Sequence, residues 1–252
     1  MKMSYGVTTD ARLSGTVTTG PGTAGNTAKV TALSTVTAAG RSGAAALAIL
    51  SALLLWAAAI PAGAQERIPD SVHDYLVTIE TDFGNMMMIL YDETPMHKEN
   101  FVGLAEAGVF DGIIFHRVIE HFMIQTGDPA TTNITPEWSS DIIPPYVPAE
   151  FNPKFSHRRG TVGAARYGGE RNPMKNSSPT QFYIVRHDRA APHLDGEYTI
   201  FGQVMSGHDV IDSVAVQPTD ERDRPLEDIR LKRVRVEKVK RSDITRFYNF
   251  SY

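Results

Sequence analysis

Short runs of β-branched, aromatic and aliphatic residues recur along the chain from Tyr75 onward, with glycine, proline, aspartate or asparagine between them. Runs of this kind are typical of strands separated by turns. The Asp82–Asn85 turn joins the first two runs as a hairpin, and the last run loses its alternation at Lys232–Arg233, which predicts a β-bulge. The predicted strands are Tyr75–Thr81, Met86–Tyr91, Ile113–Val118, Phe122–Thr126, Gly160–Ala165, Gln181–Val185, Thr199–Val204 and Ile229–Val239.

Two segments follow the helical period instead. Thr94 supplies a candidate capping hydroxyl ahead of Pro95, and the apolar stripe that follows ends at Gly108. Val210–Ala215 predicts a second helix. Many short strands with only two helices indicate a mainly β domain, built as an antiparallel barrel or sandwich rather than from βαβ units. The proline-rich segment Thr131–Pro153 predicts a long loop, and long loops in compact domains tend to be functional.

The N-terminal part of the chain has a different composition. Residues 1–40 are rich in Ser, Thr, Gly and Ala, which predicts disorder because few large apolar side chains are present to form a core. Arg41, the apolar run Ala44–Ile60 and the triplet Ala62–Ala64 then have the layout of a secretory signal peptide cut before Gln65. The run of 17 residues is at the short edge of what spans a bilayer, so a retained membrane anchor and a buried helix are the alternatives. The predicted location is periplasmic or secreted, or membrane-anchored if the segment is not cut.

Composition bounds the remaining possibilities. Of the 252 residues, 42% are hydrophobic and 21% are charged, as in ordinary globular proteins. The net charge of −4 argues against a nucleic-acid partner, which would favour a basic stripe. The absence of cysteine excludes thiol catalysis, disulfides and Cys-based metal sites. The predicted organisation is a leader at 1–64, a linker at 65–74, a domain at 75–239, and an aromatic-rich tail at 240–252 that packs either on the domain or on a partner.

The histidines do not predict a metal site. His116 and His121 are five positions apart and His187 and His193 are six apart, whereas zinc-binding helices use a spacing of four. No carboxylate stands at ligand spacing beside them, so we expect neither a metal nor another cofactor. The mixed charge run Asp220–Arg224 predicts a solvated loop.

The densest group of candidate functional residues lies on the third and fourth predicted strands. Arg117 and Gln125 occur there among bulky apolar side chains, including Phe122 and Met123. On a strand, Met123 and Gln125 share one face, and Phe122 lies on the other unless the strand bends. A guanidinium and an amide beside apolar surface can hold a neutral, carbonyl-rich ligand such as a peptide. A strand pair with a surface arginine is the alternative interpretation.

Three motifs in this region resemble the cyclophilin family of peptidyl-prolyl cis/trans isomerases. They are FHRVIEHFMIQTGDP, PTQFYIV at Pro179–Val185 and LDGEYTIFGQV at Leu194–Val204, in the family's order, and the similarity covers about Tyr75 to Val239. The PAEFNP sequence at Pro148–Pro153 resembles the exported bacterial branch. The resemblance implies a closed eight-stranded antiparallel β-barrel capped by two α-helices. It also implies a monomeric enzyme that acts on proline-containing peptides and assists the folding of unfolded exported proteins, without a membrane partner once the signal is cut.

The resemblance also assigns roles to individual residues. Arg117 matches the catalytic arginine, Gln125 the contact to a substrate carbonyl, and Ala165 a backbone contact to the substrate. Two positions depart from well-studied eukaryotic members, since Arg166 replaces an asparagine and His193 replaces a tryptophan. The remaining matches are the proline-pocket positions Phe122, Met123, Phe182 and Leu194, the pocket-side glutamine Gln181, and the pocket-wall position Tyr198.

Two other functions remain compatible with the sequence. A binding module or chaperone could grip proline-containing segments without accelerating rotation, although binding alone does not require Arg117. A scaffold anchored in the cell envelope would require that the chain is not cut before Gln65.

Overall fold

The computed structural model describes residues 72–187 and 191–252. The predicted leader, its apolar core and most of the predicted linker lie outside the described residues. Within those ranges the chain forms eight β-strands and three α-helices. The strands are β1 His73–Thr81, β2 Gly84–Leu90, β3 Arg117–Ile119, β4 Met123–Thr126, β5 Thr161–Ala164, β6 Phe182–Val185, β7 Ile200–Ser206 and β8 Leu231–Lys240. The helices are α1 Pro95–Glu106, α2 His208–Ala215 and α3 Arg241–Tyr248.

All eight strands belong to one antiparallel sheet, which confirms the predicted mainly β class. Its order is β3-β4-β6-β5-β7-β2-β1-β8, so β3 and β8 are the two edges. Near the start of these edge strands, the Phe115 N–H donates to the Ile229 carbonyl at 2.9 Å, and the Leu231 N–H donates to the Ile113 carbonyl at 2.8 Å. Over the described ranges, β3 and β8 themselves do not pair along their length. The sheet is a half-barrel, and the closed barrel of the prediction is not shown.

The third strand is shorter than the sequence predicts. The pattern favours Ile113–Val118, whereas β3 is only Arg117–Ile119. The backbone changes partner within this stretch, because residues up to Phe115 bond to the start of β8 and the Val118 N–H donates to the Asp223 carbonyl at 2.7 Å. A single ladder therefore cannot run the full length of the apolar segment.

The predicted bulge in the last strand is confirmed. In the β1–β8 ladder, Glu80 pairs with Arg233 and Thr81 pairs with Leu231, which leaves Lys232 as the extra residue. The added residue allows β8 to bend at this point, since a bulge increases local twist.

The main core lies between one face of the sheet and helices α1 and α2. Phe101 of α1 stacks on Phe110 with ring centroids 4.9 Å apart, and Ile211 and Val214 of α2 are fully buried. The predicted cap of α1 is wrong, because the Thr94 hydroxyl makes no capping hydrogen bond. The first helical N–H groups instead donate to the carboxylate of Glu150 in the long proline-rich loop. A carboxylate at this end also interacts favourably with the helix dipole.

The C-terminal tail forms a third helix that the sequence pattern does not predict. Ile244 of α3 is buried with 1% exposure, and the Tyr248 hydroxyl donates to the sulfur of Met87 at 3.1 Å. Tyr252 lies beyond the helix, and its ring centre is 4.2 Å from the guanidinium of Arg241, the first residue of α3. The tail thus packs on its own domain. No helix among the described residues combines the length and the apolar character needed to cross a membrane.

Candidate functional site

The face of the sheet opposite the main core carries a row of residues from four adjacent strands. Arg117 of β3 pairs with Gln125 of β4, Gln125 pairs with Tyr183 of β6, and Tyr183 pairs with Gly163 of β5. Directly paired residues of antiparallel strands point to the same face, so the four positions form one continuous line. The structure therefore brings the predicted arginine and glutamine together on one surface.

A second, smaller apolar cluster lies on this face beside the row. Its buried members are Met123, Tyr183, Val185, Ala191 and Leu194, and the partly buried Ile119, Phe122, Ala165 and Tyr198 pack against them. These side chains form an apolar surface next to Arg117, which is the environment that a proline ring requires.

Phe122 reaches this cluster because it precedes β4 and is not part of it. Its N–H donates to the Ile119 carbonyl at 3.0 Å, which closes the turn between β3 and β4. Its carbonyl accepts from the Arg186 N–H at 2.9 Å, next to the end of β6. The chain bends here, so Phe122 and Met123 can lie on the same side despite being adjacent in sequence.

The sequence analysis assigns Phe182 to the proline pocket, but Phe182 does not lie on this surface. Tyr183, the next residue, lies there instead. The ring of Phe182 is 1% exposed in the main core, with edge contacts to Phe101 and Phe110 at centroid distances of 5.4 and 5.8 Å. The reason is the two-residue period of the strand, which turns Phe182 inward when Tyr183 faces outward. The same period, counted from Gln181, could have identified Tyr183.

Arg117 lies at the edge of the apolar surface with 37% of its side chain exposed. Its Nε–H donates to Oδ2 of Asp223 at 3.3 Å. Among the described residues, its two Nη groups make no hydrogen bond to the protein. The guanidinium therefore has four Nη–H donors that the described part of the protein does not use.

The two glutamines form a polar border along the cluster. Nε2 of Gln125 donates to Oε1 of Gln181 at 3.3 Å. Ala165, predicted as a backbone contact to substrate, already uses both backbone groups. Its N–H donates to the Gln181 carbonyl at 2.9 Å and its carbonyl accepts from the Ser178 N–H at 2.7 Å. Only the second lone pair of that carbonyl is left for a ligand.

A buried histidine fixes the floor of the cluster. The Nδ1 and Nε2 atoms of His157 lie 2.6 Å from Oδ1 of Asp195 and 2.7 Å from the Tyr183 hydroxyl, respectively. Because a carboxylate only accepts, Nδ1 carries the proton and Nε2 accepts from the tyrosine. Burial lowers the pKa of His157, although the carboxylate of Asp195 opposes that shift, and burial raises the pKa of Tyr183. Through His157, these hydrogen bonds link Tyr183 of β6 to Asp195, which is next to Leu194, and so fix the position of the Leu194 loop relative to β6.

The family of the chain follows from a comparison of its whole domain with known proteins. The family model described as "Cyclophilin type peptidyl-prolyl cis-trans isomerase/CLD" matches residues 76–236. The chain belongs to the cyclophilin family of peptidyl-prolyl cis-trans isomerases.

Similar cyclophilins come from several eukaryotes. The chain is 38% identical to "Peptidyl-prolyl cis-trans isomerase CYP18-1" of Arabidopsis thaliana, over 64% of this chain and 94% of that protein. It is also 38% identical to "Peptidyl-prolyl cis-trans isomerase-like 2" of Rhizopus delemar, over 63% of this chain but only 28% of that longer protein. A crystal structure of a Cryptosporidium parvum cyclophilin in the presence of the dipeptide Ala-Pro matches with a TM-score of 0.56 and 29% identity, covering 64% and 98% of the two chains. These three relatives are eukaryotic and do not test the resemblance to the exported bacterial branch.

Arg166, one of the two departures from the eukaryotic cyclophilin pattern, is part of the wall of the site. Its Nε donates to the Glu197 carbonyl at 2.7 Å, and one of its Nη groups donates to the Glu197 carboxylate at 3.0 Å. Its guanidinium also lies 4.5 Å from the ring centre of Tyr198. This arginine is therefore engaged with the protein, and it stabilises Tyr198 by a cation–π contact.

The second departure, His193, lies on the rim of the site. It is exposed, and its ring centre is 6.0 Å from that of Phe122. His116, next to the arginine in sequence, has an Nδ1 atom that is buried without a hydrogen-bond partner in the described residues, and burial lowers its pKa. No group of three or more His, Asp or Glu side chains in the described ranges is arranged to hold a metal ion.

Proposed function

We propose that this cyclophilin accelerates rotation about X-Pro bonds with Arg117 as the catalytic residue, and that its substrates are exported proteins that are still folding. The observation that carries the first part is the row across β3, β4 and β6. It lines up a guanidinium and the amide of Gln125 with Tyr183, which is itself a member of the apolar cluster.

The chemistry requires only that the rotating bond loses its double-bond character. An X-Pro bond has a rotation barrier of about 18–20 kcal/mol because resonance shares the nitrogen lone pair with the carbonyl. As the bond twists, the lone pair localises on the prolyl nitrogen, which then becomes a hydrogen-bond acceptor. An Nη–H of Arg117 can donate to it in the twisted state, and this interaction is weaker in the planar ground state.

The other residues hold the proline ring of the substrate in place while the preceding part of the substrate rotates. The proline ring would lie against Met123, Tyr183 and Leu194, which are all buried and cannot move far. Gln125 can donate to a substrate carbonyl from the same face as Arg117. With the ring held, the preceding carbonyl is the group that rotates. A transition-state stabilisation of about 7–8 kcal/mol would increase the rate by about five to six decades.

A binding module without catalysis is the rival function. It would need the apolar cluster and the glutamines, but it would not need a cation whose Nη groups, within the described part of the chain, are left without protein acceptors. Arg117 is half-exposed and makes one long hydrogen bond to the protein, so it adds little to folding stability. That combination favours a catalytic role.

The test is an isomerase assay on the chain from Gln65, with either protease coupling or NMR exchange on an X-Pro peptide. We expect Arg117→Ala to lower kcat/KM by at least about two decades, with circular dichroism unchanged. Arg246→Ala is the matched control, because Arg246 is an exposed arginine of α3, outside the row and the apolar cluster, and should leave activity unchanged. Equal activity in parent and Arg117→Ala would refute the catalytic assignment.

The export proposal is supported by the sequence pattern alone, namely the positive flank, the apolar run 44–60 and the triplet that ends at Ala64. Expression of the full chain in an exporting bacterial host should give a periplasmic or secreted protein that begins at Gln65. Mass spectrometry of the isolated protein identifies its N-terminus. An intact apolar segment in the membrane fraction would show instead that the chain is anchored.

A further inference from the structure

The charged loop Asp220–Arg224 is attached to the strand that carries Arg117. The Val118 N–H donates to the Asp223 carbonyl at 2.7 Å, and the Asp223 carboxylate accepts from Nε of Arg117 at 3.3 Å. The sequence analysis predicts only a solvated loop here. The structure confirms a solvated loop, since four of its five residues are exposed, and it adds a contact between Asp223 and Arg117, which are 106 positions apart.

The loop conformation that brings Asp223 to this place is a constrained one. Asp223 has φ 62°, in the left-handed region that few residues other than glycine adopt. Asp220 organises the turn, since its Oδ1 accepts from the N–H groups of Arg222 at 2.8 Å and Arg224 at 3.0 Å. These hydrogen bonds lower the pKa of Asp220. The loop thus presents the Asp223 carboxylate from a defined backbone position.

We propose that Asp223 is a positioning residue for Arg117: it holds the guanidinium by Nε and leaves both Nη groups for the substrate. This inference rests on the proposed function of Arg117. An arginine side chain has many rotamers, and a hydrogen bond at Nε restricts the orientations that the guanidinium can take. The catalytic hydrogen bond to a twisting prolyl nitrogen needs such an orientation, because it is strongest in the short-lived transition state.

The same carboxylate has an opposing effect on charge. A nearby anion partly neutralises the field of Arg117, which would weaken its interaction with the lone pair of the prolyl nitrogen. Asp223 is 43% exposed, so water and salt screen that electrostatic effect strongly. We therefore expect orientation to outweigh neutralisation. The sign of the change in kcat after removal of the carboxylate distinguishes the two effects.

Asp223→Gly is the informative substitution, because glycine adopts the left-handed conformation without strain and removes only the side chain. We expect kcat to fall about fivefold, with KM changed less than about twofold, since the carboxylate does not contact the apolar cluster. Asp223→Asn keeps an acceptor and tolerates the same backbone, so it should recover most of the loss. Glu221→Gln removes one negative charge from the same loop without a contact to Arg117, and it should match the parent.

A double-mutant cycle completes the test. In the Arg117→Ala background, Asp223→Gly should have no further effect on kcat/KM, since the group that it positions is gone. Added salt should narrow the difference between the parent and Asp223→Gly, because it weakens an exposed ion pair. An unchanged or increased kcat in Asp223→Gly, or an equal loss in Glu221→Gln, would overturn the positioning role. If Arg117→Ala retains full activity, the proposed function fails as well, so the two failures are distinguishable.

Discussion

A single methyl group added at Gly163 should disturb the candidate site more than its size suggests. Gly163 pairs with Tyr183 across β5 and β6. A Cβ at this position would lie 2.7 Å from Cε2 of the Tyr183 ring, and closer still to its Cζ and hydroxyl. The ring would have to move by about 1 Å to restore van der Waals separation. It is 5% exposed and its hydroxyl is held by His157 at 2.7 Å, so it has little room to do so.

Two effects on stability then oppose each other in Gly163→Ala. Overpacking of a well-filled site costs about 1–3 kcal/mol. Removal of glycine flexibility from a strand returns about 0.5–1 kcal/mol. We expect a net loss of about 1–2 kcal/mol in the free energy of unfolding, measured by urea denaturation. Because the displaced ring belongs to the apolar cluster, KM for an X-Pro peptide should also rise by about threefold or more.

Gly103→Ala is the matched control, because Gly103 is exposed on α1 and a Cβ added there would meet no heavy atom of the described residues within 4 Å. This variant should gain about 0.5–1 kcal/mol from helix propensity and keep its KM. Tyr183→Leu in the Gly163→Ala background should relieve the clash, so the two costs should be non-additive by about 1 kcal/mol or more. If the free energy of unfolding of Gly163→Ala is within about 0.5 kcal/mol of the parent value and KM is the same, the proposed packing of Tyr183 is refuted.

Three further predictions concern other parts of the domain. Burial lowers the pKa of His97, His116 and His157 below the usual 6.5, so the unfolded chain binds more protons than the folded one at acidic pH. The urea concentration at the midpoint of unfolding should therefore fall as the pH drops below about 6.5, and a higher midpoint at about pH 5 would contradict this. Ile244→Ala should cost about 2–4 kcal/mol in unfolding free energy, and a loss under about 0.5 kcal/mol would mean that the tail does not contribute to the fold. His193→Trp should tighten the binding of a cyclosporin-type macrocycle by about one to two decades, with kcat/KM for a proline peptide little changed; no gain in isothermal titration would refute the position of residue 193 on the rim.

Local pattern predicts most of the strands and the key polar residues. Period-two alternation locates β1, β2 and β7 to within a few residues, and the slip at Lys232 predicts the bulge that β8 contains. Arg117 and Gln125 can be selected because a cation and an amide are unusual within an apolar stretch. These features depend on neighbours in sequence, and steric preferences and burial act on them directly.

Tertiary structure decided which residues meet across the sheet. The line of Arg117, Gln125, Tyr183 and Gly163 depends on the register of three strand pairs, and a shift of one residue would place every side chain on the opposite face. The motif assigns Phe182 to the site, but the register of β5 and β6 turns the Phe182 side chain into the core.

The contacts that order the site come from still further along the chain. Glu150 caps α1 from the long loop, His157 fixes Tyr183, and Asp223 contacts Arg117. These three residues are polar and lie in loops, where the hydrophobic periodicity of the sequence does not predict which residues make contact. A buried or half-buried polar group finds its partner only once the packed fold has removed water from around it. The sequence alone therefore determined the family, the strand pattern and the arginine, and the three-dimensional packing decided how that arginine is held.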